Sequence, residues 1–215
     1  MYARPLHEGK PLTFAVSGML WKSSLIMFDR ETRSLWSHIT GKAVAGPLKG
    51  MRLTPVPAVH TTWGLWRANY PDTVVLEKAR WSRRSPHPFE PDHVLGLVLE
   101  GEVVGFPFPE LKQAPLAHPA VAGEPLLVVY IEPAATAVAF RREVSGRVLS
   151  FHRLARKGEV WQMEDRETGS AWNALTGEAL AGPLAGAGLA PVPATQAYLS
   201  NWRELYPGGR MWRAD

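Results

Sequence analysis

The chain has 215 residues, no cysteine, an ordinary apolar fraction and a formal net charge of +4. The missing cysteines exclude disulfides, thiolate nucleophiles and Cys-ligated zinc or iron–sulfur sites, and the length suffices for one large or two small domains without covalent staples. The positive charge is scattered apart from Lys78, Arg80, Arg83 and Arg84, whereas a nucleic-acid footprint would be a concentrated stripe.

The longest unbroken apolar run, Leu126 to Ile131, is too short to cross a bilayer. The opening M-Y-A-R-P-L-H-E-G-K lacks the apolar core of a signal peptide, although a cleaved leader could precede it. These features place the chain in the cytoplasm by default, name no partner or cofactor, speak against nucleic acid and leave a homo-oligomer open. Abundant proline with scarce Asn and Gln resembles the composition of thermophile proteins.

In chain order, residues 11 to 27 hold two β-leaning runs, L-T-F-A-V and S-L-I-M-F, separated by Ser17-Gly18. Asp29-Arg30-Glu31-Thr32 reads as a hairpin turn, with the following position wanting a left-handed backbone. A strand over 34–40 then alternates, with Leu35, Ser37 and Ile39 on one face and Trp36 and His38 on the other. Thr40-Gly41 turns, 42–45 is another short strand, and Gly46-Pro47 ends it. L-x-P-V-P-A cannot lie mid-sheet, because two prolines in three residues remove ladder donors, so it reads as an edge or connector. A helix follows, N-capped by Thr61 or Thr62, with Trp63, Trp66 and Tyr70 as the packing face that seals the meander before Pro71.

This block recurs. Aligned without a gap, Met27–Ala58 and Met163–Ala194 are identical at about twenty of thirty-two positions, which identifies an internal duplication. The second copy has Gly169 at the left-handed position where the first has Arg33. Between the copies, 81–92 is a proline- and charge-rich connector. V-L-G-L-V-L-E-G-E-V-V-G-F reads as a hairpin turning at Glu100-Gly101, 107–123 as irregular, and 126–130 and 136–140 as buried strands. The G-K-P-L-T-F and G-R-V-L-S-F segments match one residue out of register with the block. About forty-five residues, 93–138, have no counterpart before the first copy.

D-R-x-T-x-S-x-W-x-x-x-T-G-x-A-x-x-G-P-L-x-G-x-x-L followed by a tryptophan-bearing W-x-x-x-x-P resembles the bacterial and archaeal domain-of-unknown-function family 3179. The resemblance covers 94–207 as a nearly whole domain and 2–75 as its rear part, and it implies no established activity. It also implies a C-P-x-C-type stretch after the 126–130 strand and a His–Glu pair before it. Here those places read I-E-P-A-A-T-A and Q-A-P-L, so a metal or redox site built from them in relatives is lost. Either the natural chain starts upstream, or the first copy borrows 93–138 as a shared core.

The best polar constellation is Asp29, Arg30 and Glu31 with Asp165, Arg166 and Glu167. It reads as a paired acid/base or anion clamp, or as Asp capping a turn while Arg and Glu pair across the hairpin. A duplicated motif keeps what its fold needs, which favours the second reading. Trp36, His38 and Trp172 are the candidates for ligand contact. His87 and His93, flanking Glu90 and Asp92, are weak metal candidates on a connector with nothing to fix geometry. No phosphate loop and no nucleophile elbow occurs.

The expectation is a mainly β (β-rich α+β) protein of two pseudo-symmetric meander-plus-helix repeats, sandwich or barrel-like, divided as 1–80, 81–92 and 93–215. Its function reads as a non-catalytic binding or interaction module, leaning away from an enzyme. The alternatives are an enzyme or metal protein with its site between the copies, and a sugar- or nucleic-acid-binding module.

Overall fold

The computed structural model describes residues 1–75 and 92–214. Most of the 81–92 connector, the Lys78, Arg80, Arg83 and Arg84 cluster and His87 lie outside the described residues. The chain is mainly β. Among the described residues three short α-helices accompany several antiparallel sheets, and no closed barrel forms.

The two copies fold alike. Phe14–Trp21, Ser24–Asp29, Leu35–Ser37 and Ala43–Ala45 pair in sequence order as one antiparallel meander. Phe151–Lys157, Val160–Asp165, Ala171–Asn173 and Ala179–Ala181 form the other. The residue after each D-R-E-T turn is left-handed as expected, with φ of 61° at Arg33 and 70° at Gly169. Arg33 tolerates this while its guanidinium lies 4.6 Å over the Phe28 ring.

Ser17-Gly18 does not separate two strands. It lies inside the first one, and the chain reverses at Lys22-Ser23, both with positive φ as a tight two-residue hairpin requires. The pairing jumps from Val16–Met27 to Leu20–Leu25, so Ser17, Gly18 and Met19 bulge opposite Ile26. In the second copy only Arg153 and Leu154 bulge opposite Met163. The one-residue slip between the repeats is therefore absorbed in a β-bulge, where an extra residue disturbs pairing least.

Between the copies, His93–Leu99 and Glu102–Pro107 form the expected hairpin, flanked by antiparallel Ala194–Tyr198 and parallel Arg210–Met211. Glu124–Ile131 and Thr136–Arg141 anchor a second sheet with Ala190–Pro191 on its edge, where the proline costs no ladder bond. The segment read as irregular contains a helix, Phe108–Gln113. Pro107 is its N-cap and another proline sits in its first turn, so the prolines start the helix rather than break it.

The helices after the meanders are exchanged. The Trp63–Asn69 helix, N-capped by Thr62, buries Leu65 in the core of the second copy with Met163, Trp172 and Leu175. Asn173 Nδ2 donates to its Asn69 Oδ1 at 2.7 Å. The Leu199–Leu205 helix returns the contact: Trp202 packs on Ile39 of the first copy, and Asn201 Nδ2 donates to Ser24 Oγ at 2.7 Å and Ser23 O at 2.9 Å. Each helix thus caps the opposite copy rather than sealing its own meander.

Candidate functional site

The D-R-E-T…G-P-L motif forms one internal network in each copy. Asp29 is fully buried and accepts from the Thr32 N–H at 2.6 Å, the Thr32 hydroxyl at 2.8 Å and Trp36 Nε1 at 2.8 Å. Thr32 Oγ1 bonds Ser34 Oγ at 2.7 Å, which accepts the Leu48 N–H at 3.0 Å. Asp165, Thr168, Ser170, Trp172 and Leu184 repeat every link. Gly46 and Gly182 are needed because a Cβ there would sit 2.6 Å and 2.7 Å from the Ser34 and Ser170 Cα atoms. Burial opposes ionisation of the two Asp, but the bonds from Trp and Thr outweigh it and hold both carboxyls below the usual range.

Arg30 and Arg166 are exposed. Glu31 and Glu167 do not pair with them across the hairpin; each carboxylate accepts a backbone N–H of the adjoining segment, Thr13 at 2.9 Å and Ser150 at 2.8 Å. Trp36 and Trp172 are fully buried.

His38 has a different setting. It lines a cavity of about 410 Å3 between the copies with His60, His93, Gln196, Tyr198 and Asn201. An adjoining cavity is walled by Ala58, Val59 and His60 facing Ala194, Thr195 and Gln196, which are counterparts in the two repeats. The cleft therefore straddles the pseudo-two-fold axis. The His38 Nδ1–H donates to Leu25 O at 2.7 Å, because a carbonyl can only accept. The His93 and Tyr198 rings pack with centroids 4.6 Å apart and planes tilted by 40°. Burial, then the neighbouring His93, push the His60 pKa down. Both amide atoms of Gln196 are buried without a protein partner. No Asp, Glu, Lys or Arg side chain is among the described lining of this cleft.

Two further cavities are related by the same pseudo-symmetry. Ile39, Pro55, Trp202 and Tyr206 line one, of about 210 Å3; Leu175, Pro191, Trp66 and Tyr70 line the other, of about 230 Å3. In each the Trp and Tyr rings pack with centroids 4.4 Å apart, tilted by 32° and 42°. Trp63, expected on this packing face, is instead 49% exposed. Neither D-R-E-T turn lines any of these cavities.

A family model described as "Protein of unknown function (DUF3179)" matches residues 1–91 and again residues 89–215. The chain belongs to the DUF3179 family. No curated protein and no solved structure matches it. In this DUF3179 chain no described helix is long and apolar enough to cross a membrane, and no three described His, Asp or Glu side chains are grouped to hold a metal ion. Of the residues singled out from the sequence, the fold brings His38 and His93 together and keeps the two acidic turns apart from them. Sequence reasoning missed His60 and Gln196. Their signal was present in the alignment: both stand two residues after P-V-P-A, at equivalent positions of the two copies.

Proposed function

We propose that this chain is a non-catalytic binding module whose ligand site is the cleft on the pseudo-two-fold axis. The observation that carries this reading is the convergence of three imidazoles from separate segments, His38, His60 and His93, on one cavity between the copies. Gln196 lies in the same wall, with its amide atoms buried beneath the surface. Against an acid/base role for the D-R-E-T turns, their aspartates already accept several internal hydrogen bonds each. Against stacking on sugars or bases, Trp36 and Trp172 are fully buried.

A fragment screen followed by side-chain NMR tests the reading. Hits are expected to shift the His60 ring and Gln196 amide signals first. Hits that map only to Arg30 and Arg166, or to exposed Trp63, would contradict it.

A further inference from the structure

We infer that the cavity lined by Arg52 and Tyr206 takes a small monocarboxylic acid with a compact apolar body, Arg52 holding the carboxylate. This site is additional to the cleft.

A broken symmetry points to it. The two cavities related by the pseudo-two-fold share their Pro, Trp and Tyr walls, yet three places around that frame differ in one direction. Arg52 lines the first cavity, whereas its counterpart in the second copy is Gly188, which has no side chain. Thr195 lines the first where its counterpart Val59 lines the second. The Tyr2 ring lies against Gly41 as the Phe140 ring lies against the equivalent Gly177. The first cavity is thus polar, and in one place cationic, where its twin is apolar.

The charge sets the ligand's head. Among the described residues no carboxylate pairs with Arg52. Burial pushes the Tyr206 phenol up and the Arg52 guanidinium partly offsets it, so the two groups are within electrostatic reach. Burial, then the nearby Tyr206, push the Tyr2 phenol up to about 12. Both phenols are therefore neutral near neutral pH and do not repel an anion. The Met1 ammonium, whose pKa burial lowers, is the other charged group on the lining. With one permanent cation present, a singly charged carboxylate is matched, and a guanidinium can bind it through two parallel N–H···O bonds. Without such a partner a carboxylate on these walls would lose hydration uncompensated.

The walls set the body. Leu53, Pro55, Val56 and Pro193 suit an apolar group. The volume of about 210 Å3 lies below the roughly 300–1,000 Å3 of pockets for drug-sized ligands, so the acid is small.

The test is calorimetric titration of the full chain at low salt with benzoate, benzyl alcohol, acetate and phenyl phosphate, with NMR of the Arg52 Nε–H and His60 ring signals. Benzoate should bind, and benzyl alcohol and acetate at least tenfold more weakly, because each lacks one of the two recognised parts. Arg52→Gln should lower benzoate affinity tenfold or more and leave the melting temperature unchanged, since the side chain is exposed. Should that variant fail to fold, the wild-type Arg52 Nε–H signal must move on adding benzoate. Benzyl alcohol binding as well as benzoate, or benzoate affinity unchanged in Arg52→Gln, overturns the inference. Phenyl phosphate binding more tightly than benzoate overturns the ligand class. Benzoate that moves the His60 ring and leaves Arg52 unmoved puts the acid in the cleft and overturns the site. No binding by any of the four probes overturns it outright.

Discussion

Trp36 donates its indole N–H to Asp29 Oδ2 at 2.8 Å, and Trp172 repeats the bond to Asp165 at 2.8 Å. The pair explains why the repeats keep an aspartate and a tryptophan seven residues apart: a fully buried indole on the sheet needs an acceptor, and the turn supplies it. Asp165→Ala removes that acceptor and also strands the Thr168 N–H and hydroxyl. It should lower unfolding free energy in urea by about 3–5 kcal/mol, as expected for breaking a buried charged network. Arg166→Ala, on the exposed neighbour, should stay within about 0.5 kcal/mol.

The two aspartates and two histidines give stability a two-step acid profile. His60 and His118 have folded pKa values pushed down, in both cases by burial first, then by His93 for the former and by Arg142 and Arg166 for the latter. His118 Nε2 also accepts the Phe151 N–H at 2.8 Å, a bond that protonation of that nitrogen would remove. The unfolded chain thus binds protons first, so stability is full above about pH 6.5 and declines as pH falls below it. Asp29 and Asp165, depressed in the folded state, hold their contribution above about pH 4 and lose it as pH falls further. Thermal melts across this range should show both declines. His118→Gln should weaken the first only, and Asp165→Asn the second.

Two glycines separate packing from propensity. A Cβ on Gly96 would lie 2.1 Å from the Trp202 ring, which rests flat against the strand. Gly96→Ala should therefore cost about 1–3 kcal/mol through overpacking and perturb near-ultraviolet dichroism. Gly64, in the first helix, has nothing within 4 Å of an added Cβ. Gly64→Ala should instead stabilise by about 0.4–1 kcal/mol, read in the same urea titrations.

Much of the fold was legible in the sequence because its signals are local. The turn glycines, the left-handed position after Thr32 and Thr168, the Thr62 cap and the edge prolines each follow from backbone chemistry within a few residues. What was not legible depends on distant partners. Pro107 and its neighbouring proline read as breakers until the helix they start is seen packing Phe108 and Leu111 into the core. The extra residue near Gly18 reads as a turn because a bulge and a turn draw on the same residue types. For the site, His38 was singled out for its place on the strand. The helix exchange that sets it beside His60, His93 and Gln196 involves contacts such as Asn201–Ser24, which no periodicity encodes. Ile39 of the first copy packs with Val94 of the intervening segment and with Ala197 and Trp202 of the second copy.

The exchange of helices ties the two copies together, and hydrogen exchange on Leu65→Ala tests it most directly. Leu65 belongs to the first copy in sequence and to the core of the second in space. The substitution should cost about 2–5 kcal/mol and speed amide exchange across the 160–165 and 171–173 strands of the second meander. Faster exchange confined to the first helix and the first meander, with the second meander's amides unchanged, would contradict the account.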